Sequence, residues 1–394
     1  MSSSTSGQHT VAVAVSGGAD SLYTLLALCK QGFRVFGLHG IFLRPEDTLS
    51  DKQNVEQAAH TAAGMRERLA AACARIGVPL HTVDLTEPFS ELIIRPFVHS
   101  YAHGLTPNPC ALCNARVKFG LLLNAALALG ADRLATGHYA RLEKGSDLFP
   151  PALLQGRDPG KDQSYFLALT PQSALTKAMF PLGDITKAEV LAALAEYGLD
   201  APQPGESQEV CFVPDDEYRE FIPRMAAHFG IALSGPGPML LRDGRRVGTH
   251  KGLWQYTEGQ RKGLGVGWKE PLHVLSKERT DNILRLGAKH DLCVDDIICA
   301  DVNVLLPPAC WPETMLVKTR YREQPRQATV RLAPAADDSS RQEMHIRFAE
   351  PENAVAPGQI AVVYVPYQSG QEDDISGVSG SGSSLRLAAG GVIK

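Results

Sequence analysis

Residues 11–21, VAVAVSGGADS, lead from an apolar run into a glycine turn and then into a segment that continues LYTLLAL. The valine-rich run predicts a buried strand, and the spacing of the following leucines predicts a helix. Glycines let backbone N–H groups approach phosphate oxygens closely, and the start of a helix adds its positive dipole end. The segment is not a Walker A loop, and it lacks the G-x-G-x-x-G spacing of a dinucleotide site. It therefore predicts an anion site, with a tight glycine turn capped by Ser or Asp as the structural alternative.

Outward from this loop, strand-like and helical segments alternate as far as about Leu199. That alternation is typical of an α/β domain with a doubly wound parallel sheet. We predict a catalytic domain at 1–207, a small central domain at 208–280 that is rich in glycine and basic residues, and a C-terminal domain at 281–394. Short alternating runs from about Asn282 onward indicate a small antiparallel barrel or sandwich, and we predict the β-barrel. The acidic Gly/Ser-rich stretch at about 368–385 predicts a disordered loop within a final hairpin.

Composition limits the class of protein. In a chain of 394 residues, 44% hydrophobic residues suffice for more than one core. The net charge of -4 gives no global sign of a polyanionic partner, so nucleic acid would have to bind local basic patches. The N-terminus shows no signal-peptide pattern, and no uninterrupted apolar stretch reaches the roughly 18 to 20 residues of a membrane span. We expect a soluble, cytoplasmic protein with no membrane partner.

The cysteines are the second chemical feature. Eight in so long a chain do not make a dense disulfide framework, so a functional one would be a reactive thiol or a metal ligand. Cys113 lies in TPNPCALCN (106–114), near the start of a predicted helix, whose dipole is expected to lower its thiol pKa. A nucleophile, a buried packing residue and half of a metal site are the open interpretations. Cys211 fits a core or a catalytic role equally, and the others are interpreted as packing residues: Cys29, Cys73, Cys293, Cys299 and Cys310.

Two clusters of basic residues interleave with aromatic side chains that could stack on unpaired bases. An ordinary solvated charged face is the alternative for each cluster. The first comprises Arg242, Arg245, Arg246, Lys251, Arg261 and Lys262, with Trp254 and Tyr256, and the second comprises Lys318, Arg320, Arg322 and Arg326, with Tyr321. Of the two histidines near motifs, His138 is placed for a substrate contact, whereas His250 fits an exposed position.

SGGADS resembles the pyrophosphate loop of the N-type ATP pyrophosphatases, which adenylate an oxygen; the resemblance implies that Asp20 and Ser21 help hold pyrophosphate and Mg²⁺. Six further motifs follow in order, so that most of the chain, from about 10 to 390, resembles the tRNA-specific 2-thiouridylase family. This resemblance implies sulfuration at C2 of the wobble uridine of tRNA with ATP and Mg²⁺, and a persulfide supplied by a sulfur-relay protein or a cysteine desulfurase. The motifs are TPNPCALCN, ATGHYAR (135–141), GRDPGKDQSYFL (156–167), SQEVCF (207–212), GTHKGLWQYTEGQRKGLG (248–265) and KTRYRE (318–323).

The same resemblance implies roles for individual residues. Cys113 would be the nucleophile and Cys211 the persulfide carrier, with a transient disulfide between them. Residues implied to bind ATP are Ala14, Val15, Ser16, Gly17, Gly18, Ala19, Asp20, Ser21, Gly40 and Gly137. Residues implied to face the target base are Asn108, Pro109 and Cys110, and those implied to contact tRNA elsewhere are His138, Lys161, Asp162, Gln163, Arg320, Tyr321 and Gln359.

One position departs from the family pattern. Many members have Asp where this chain has Cys110, and near neutral pH a thiol is a poorer general base than a carboxylate. Cys110, Cys113 and Cys211 could instead hold an iron–sulfur cluster, which would make the enzyme a cluster-dependent thiolase. A small-molecule adenylating ligase of the same superfamily and a non-enzymatic RNA-binding module are two competing hypotheses, and neither needs the cysteine pair for catalysis.

Overall fold

The computed structural model describes residues 9–44, 52–145, 150–201, 210–213, 217–353, 355–367 and 384–394. Its strands are β1 Thr10–Ala14, β2 Arg34–Ile41, β3 Leu80–Asp84, β4 Arg133–Ala135, β5 Ala140–Glu143, β6 Ala152–Gln155, β7 Ala178–Met179, β8 Gly237–Leu241, β9 Arg246–His250, β10 His273–Glu278, β11 Ile283–Gly287, β12 Cys293–Val304, β13 Met315–Lys318, β14 Arg326–Pro334, β15 Gln342–Asn353, β16 Ile360–Tyr367 and β17 Ser384–Ile393. Its α-helices are α1 Ala19–Lys30, α2 Lys52–Ile76, α3 Thr86–Phe89, α4 Arg95–Ala102, α5 Pro109–Cys113, α6 Leu123–Ala128, α7 Gln172–Leu175, α8 Lys187–Glu196 and α9 Tyr218–Phe229, and Ser90–Ile94 and Asn114–Leu122 are π-helical.

The first sheet is parallel and has the strand order β3-β2-β1-β4-β7. Alternate residues of β1 enter different cores: Val11 and Val13 pack in one buried cluster, and Ala12 packs in another. Because successive side chains of a strand point to opposite faces, both faces of the sheet are covered. The prediction of a doubly wound parallel sheet is confirmed.

The second sheet is small, with the order β10-β11-β8-β9. β11 pairs in parallel with β8 and antiparallel with β10. The run ILRLG, which the sequence pattern assigned to the start of the C-terminal β domain, therefore belongs to the central sheet. Apolar alternation marks a strand but does not identify the sheet in which it pairs.

The third sheet closes into a six-stranded antiparallel barrel, β12-β15-β14-β13-β16-β17, because β12 pairs with both β15 and β17. β12 changes partner near Cys299, where a register irregularity follows at 300–303 and Asp301 has a φ of +49°. A bulge of this kind bends a strand sharply. The predicted barrel and its final hairpin, β16 with β17, are confirmed. Most of the predicted loop at 368–385 lies outside the described residues.

A hairpin from the first domain joins the barrel sheet. The hairpin of β5 and β6 lies beside the barrel through the pairing of Leu154 with Arg386. The barrel sheet therefore continues into two strands that belong to the first domain.

The helical stretch Pro109–Ala128 is long and apolar enough, by length and composition, to cross a membrane. Its side chains Val117, Phe119 and Leu122 are buried in the main core, which is the packing of a core helix.

Candidate active site

The glycine loop between β1 and α1 is stabilised by its own short-range contacts. Gly17 has a φ of +90°, a conformation that favours glycine. The Ser21 hydroxyl donates to the Gly18 carbonyl at 2.9 Å and accepts from the Ser16 amide at 3.3 Å. Gly18 is the N-cap of α1, a helix of 12 residues. The loop thus turns directly into a helix N-terminus, where backbone N–H groups and the dipole favour an anion.

Asp20 in the first turn of α1 has two partners that the sequence did not reveal. Its Oδ1 accepts from the Tyr139 hydroxyl at 2.8 Å and from Lys187 Nζ at 2.8 Å. Lys187 is the first residue of α8, whose N-terminus Thr186 and Glu189 close with a capping box. A cation and a carboxylate therefore face each other beside the glycine loop.

Gly137 and Gly40 both lie at the carboxyl edge of the first sheet, where open α/β sheets bind ligands. A Cβ on Gly137 would lie 3.0 Å from Asp20 Cβ, and a Cβ on Gly40 would lie 2.8 Å from the Phe42 ring. Gly137 therefore has a packing reason to lack a side chain, because it lies against the backbone of Asp20, whereas at Gly40 the Phe42 ring would have to move. Nearby, buried His39 bonds through Nδ1 to the Val15 carbonyl at 2.8 Å, a contact not expected from the sequence.

The cysteine segment begins with a well-formed helix start. Asn108 Oδ1 accepts from the Ala111 amide at 3.1 Å, and Pro109 occupies the first helical position, which suits its fixed φ. The chain then becomes π-helical from Asn114 to Leu122. Cys110 and Cys211 are exposed and Cys113 is half-buried, and the three thiols are near enough to influence one another's pKa.

The predicted low pKa of Cys113 is wrong. Removal from water raises the pKa of its thiol to about 12, since burial disfavours the charged form. Cys110 and Cys211 keep exposed surface, but the surrounding protein atoms remove enough water from their thiols to raise the pKa of Cys211 to about 11 and to raise that of Cys110. The helix begins at Pro109, so Cys113 lies beyond the first turn, where the dipole effect has largely faded.

Lys118 is the functional candidate that sequence reasoning missed. Its charge lowers the pKa of Cys110, Cys113 and Cys211, opposing the effect of burial. A π-helix closes its hydrogen bonds from residue i to i+5, which brings side chains five apart to one face, whereas five residues of an α-helix lie about 140° apart. The π-helical stretch Asn114–Leu122 therefore changes the direction of Lys118 relative to the thiols, which a prediction based on an α-helix does not anticipate.

His138 connects this lysine to the nucleotide loop. Its Nε2 lies 3.4 Å from Lys118 Nζ, and its Nδ1 lies 2.7 Å from the Thr136 hydroxyl. Burial, and secondarily the charge of Lys118, hold the pKa of His138 well below its usual value, so the ring is neutral and Nε2 accepts from Lys118. With 8% of its surface exposed, His138 faces the protein interior rather than an open tRNA surface.

The remaining residues implied to contact tRNA divide into inward and outward groups. Asp162 is buried, and its carboxylate accepts from the amides of Gly156 and Ser164 at 3.0 and 3.1 Å. Gln163 Oε1 accepts from the Tyr139 amide at 3.1 Å, and Gln359 Nε2 donates to the Thr106 carbonyl at 2.9 Å. The half-buried members that can also face solvent are Lys161, Arg320 and Tyr321.

Several members of the two basic clusters also lie differently from their prediction. Lys318 is buried at 8% exposure, and Tyr256 is buried at 6%. His250, expected to be exposed, is fully buried and bonds to the Asn282 carbonyl at 2.9 Å. Arg245 stacks over Trp268 at 5.0 Å. These contacts leave fewer cations and rings for RNA than the sequence indicates.

The proposed cluster ligands do not form a metal site here. Among the residues that the structure describes, which include Cys110, Cys113 and Cys211, no group of three or more His, Cys, Asp or Glu side chains is arranged to hold a metal ion. All three cysteines are free thiols. The geometry therefore does not fit an iron–sulfur cluster on these residues, and we derive no step through one.

Comparison with known proteins identifies relatives along most of the chain. Three family models match in order: the tRNA methyl transferase HUP domain at 9–215, the tRNA methyl transferase PRC-barrel domain at 230–288 and the aminomethyltransferase β-barrel domain at 294–375. The tRNA-specific 2-thiouridylase MnmA of Nitratidesulfovibrio vulgaris (strain DSM 19637 / Miyazaki F) is 47% identical over 354 residues, covering 90% of this chain and 95% of that protein. Proteins of the same name from Lawsonia intracellularis and Geobacter metallireducens are 47% and 39% identical, each over 90% of this chain and over 95% and 93% of their own lengths.

Proposed function

The chain belongs to the tRNA-specific 2-thiouridylase family, and from that membership and the site we propose how its residues divide the reaction. It is a tRNA-uridine 2-sulfurtransferase built on an ATP-utilising glycine-loop domain. Membership in this family replaces the small-molecule ligase and the non-enzymatic RNA-binding module as interpretations.

The observation that carries the proposal is the turn at 136–139, which touches both sites. Gly137 packs on Asp20, and the Tyr139 hydroxyl bonds to the same aspartate. Between them, His138 bonds to Lys118, whose charge lowers the pKa of all three thiols. An adenylated base and a sulfur-bearing cysteine must meet at one carbon atom, and a shared turn holds the two sites together.

The first chemical step activates the base. The C2 oxygen of uridine is a poor leaving group, so we propose that it attacks the α-phosphorus of ATP and releases pyrophosphate. The loop from Ala14 to Ser21 would hold the phosphates, with Gly40 and Gly137 beside the adenosine. Lys187 supplies a positive charge there, which stabilises the charge of the departing pyrophosphate.

Asp20 fits a magnesium ligand because its carboxylate is part-exposed, at 32%, beside the phosphate loop, and Mg²⁺ prefers such oxygen donors. When bound, Mg²⁺ would neutralise phosphate charge. Asp20 also positions Lys187 and Tyr139, whose hydrogen bonds to Oδ1 hold both side chains toward the loop.

The second step delivers sulfur. We propose that the terminal sulfur of a persulfide on Cys211 attacks C2, and AMP leaves with the former C2 oxygen. The thiolate of Cys113 then attacks the Cys211 sulfur, so that a disulfide joins the two cysteines and 2-thiouridine is released. An external thiol reductant must restore both cysteines. Lys118 supports this step because its charge stabilises a thiolate.

The substrate and partners follow from this chemistry. The substrate is tRNA, and we propose its wobble uridine as the target, flipped from the anticodon stack toward Asn108, Pro109 and Cys110. Half-buried Lys161, Arg320 and Tyr321 are the candidates for further tRNA contacts. A sulfur-relay protein or a cysteine desulfurase would load Cys211, and a cytoplasmic location suits all of these partners.

We further propose three domains, for which the sequence predicts the bounds 1–207, 208–280 and 281–394. The boundary between the second and third domains moves so that β11 at Ile283–Gly287 stays with the central sheet. Support for the adjustment comes from the pairing of β11 with β8 and β10. Each domain would then keep its own sheet, apart from the hairpin of β5 and β6 beside the barrel.

The test is mass spectrometry of tRNA nucleosides after incubation of anaerobically purified protein with unmodified tRNA, ATP, Mg²⁺ and a persulfide donor. We expect 2-thiouridine that depends on ATP, and an iron content far below one cluster per chain. Thiolation that requires stoichiometric iron would replace the persulfide step by a cluster. Absence of 2-thiouridine with every component present would contradict the proposal.

A further inference from the structure

The nucleotide loop begins at the peptide between Val15 and Ser16, and both polar groups of this peptide are bonded. Its carbonyl accepts from His39 Nδ1 at 2.8 Å, and its N–H donates to the Ser21 hydroxyl at 3.3 Å. The amide of Val15 itself donates to the Leu38 carbonyl at 3.0 Å. Strand β2 therefore holds the chain on both sides of Val15, and the first peptide of the loop is fixed before the glycines begin.

His39 lies on a face of β2 that is otherwise apolar. Side chains alternate along a strand, and Val35, on the same face, packs in one buried cluster with Val13 and Val15. His39 is itself buried, at 8% exposure. A buried imidazole costs free energy unless it is hydrogen-bonded, whereas an aliphatic or aromatic side chain would fill this position without that requirement. The bond to Val15 is thus what a histidine supplies here and an apolar side chain does not.

The bond also fixes which ring nitrogen of His39 carries a proton. A carbonyl oxygen only accepts hydrogen bonds, so Nδ1 is the N–H donor. In the neutral ring Nε2 is then an acceptor, and it cannot bond to a phosphate oxygen, which is also an acceptor. The neutral ring therefore reaches the phosphates only through the Val15 peptide, and a direct contact of Nε2 would be with an N–H or O–H group of the adenosine.

The orientation of the first peptide determines where the next amides point. Gly17 follows it with a φ of +90°, and the Gly18 amide donates to the Ser16 hydroxyl at 3.4 Å. Gly18 is already the N-cap of α1. So short a connection leaves little freedom between the peptide held by His39 and the start of the helix. Amides that are already oriented bind an anion without reorganisation.

We propose that His39 is a positioning residue of the nucleotide loop, which holds the peptide between Val15 and Ser16 so that the loop amides face the phosphates of ATP. The inference rests on the proposed function for the identity of the ligand. Loss of the Nδ1 donor removes the partner of the Val15 carbonyl and lets the first peptide rotate. Binding of the phosphates then weakens, and binding of the adenosine does not.

The test compares three replacements of His39 that differ in where they place a donor. His39→Asn puts an N–H group near the position of Nδ1, His39→Gln puts one near that of Nε2, and His39→Phe keeps a ring without a donor. Calorimetry with Mg²⁺ measures the affinity for AMP and for α,β-methylene ATP, which cannot be cleaved between its α- and β-phosphates. We expect His39→Phe and His39→Gln to weaken α,β-methylene ATP about tenfold, as for one lost hydrogen bond. His39→Asn should stay within about twofold of the wild type, and AMP should change less than about twofold in all three.

The control is His81→Phe, which makes the same chemical change at an exposed position of the neighbouring strand β3 and should match the wild type. Urea denaturation of each variant separates folding from binding. Equal weakening of AMP and α,β-methylene ATP by His39→Phe would place the ring against the adenosine and overturn the inference. A lower free energy of unfolding with unchanged affinity for α,β-methylene ATP would make the bond purely structural and overturn it equally. A wild type that binds α,β-methylene ATP but forms no 2-thiouridine would contradict the proposed sulfur transfer alone.

Discussion

The nucleotide loop and the thiol site lie on either side of the turn at 136–139, but they are built in different ways. The nucleotide loop is contiguous, and Ser16, Gly18 and Ser21 bond to one another across five residues. The thiol site instead combines 108–118 with His138 and Cys211. A local site keeps its geometry when distant parts of the chain change, whereas an assembled site depends on each of its segments.

The largest expected effect separates the two sites. Cys113→Ser or Cys211→Ser should abolish thiolation, a loss on the order of 10³-fold or more, because each removes a group that forms a bond to sulfur. ATP binding measured by calorimetry should stay unchanged. Cys293→Ser is the matched control, an exposed thiol outside the site. Loss of ATP binding in either active-site variant would show that the two sites are not separable.

A smaller but still large effect is expected on the nucleotide side. Lys187→Met removes the cation that bonds to Asp20 at 2.8 Å, and pyrophosphate release should slow by about a hundredfold, as for other lost charge stabilisers. The rate at which iodoacetamide alkylates Cys113 should be unaffected. Lys177→Met, on an exposed lysine before β7, supplies the control. Altered alkylation would mean that Lys187 also supports the thiol site.

The same contrast explains what the sequence could predict. The parallel sheet, the barrel and the glycine loop follow from local patterns, since alternation and turn chemistry are written in neighbouring residues. Lys187 and Tyr139 meet Asp20 across 167 and 119 residues, a separation that no local pattern encodes. The predicted low pKa of Cys113 is wrong for a related reason. The position of Cys113 in its helix can be predicted from neighbouring residues, but its burial depends on distant parts of the chain. The π-helical stretch that carries Lys118 also escapes a prediction based on 3.6-residue periodicity.

Lys118 gives a pH-dependent prediction of intermediate size. A thiolate forms as pH rises through the thiol pKa, and a neighbouring cation lowers that pKa by favouring the charged form. Lys118→Met should therefore raise the pKa of Cys113 further and shift the profile of thiolation rate to higher pH. A shift of about one pH unit corresponds to roughly tenfold slower sulfur transfer near neutral pH.

The control for this change is Arg116→Met, which removes an exposed cation two residues away on the same helix. The rate of alkylation of each cysteine between about pH 7 and 10, followed by peptide mass spectrometry, measures the change in thiolate fraction that the shift produces. Cys293 serves as an internal reference. An identical profile for Lys118→Met and wild type would remove Lys118 from the thiol site and leave burial as the dominant influence.

The smallest expected effect tests how far the nucleotide side depends on a single helix start. The Thr186 hydroxyl accepts from the Glu189 amide at 3.3 Å, and Glu189 Oε2 accepts from the Thr186 amide at 2.7 Å, immediately before Lys187. Thr186→Ala should lower the free energy of unfolding by about 1 kcal/mol in urea denaturation, the usual cost of a lost N-cap. Thr176→Ala, on an exposed threonine outside any N-cap, should lower the free energy of unfolding by less.

The same change should have a small effect on ATP. Because Lys187, the residue after the cap, carries the cation beside Asp20, KM for ATP should rise severalfold at most, with alkylation of Cys113 unchanged. A full loss of ATP use from this one cap would show that the nucleotide side depends on its distant helix α8 as strongly as the thiol site depends on each of its segments.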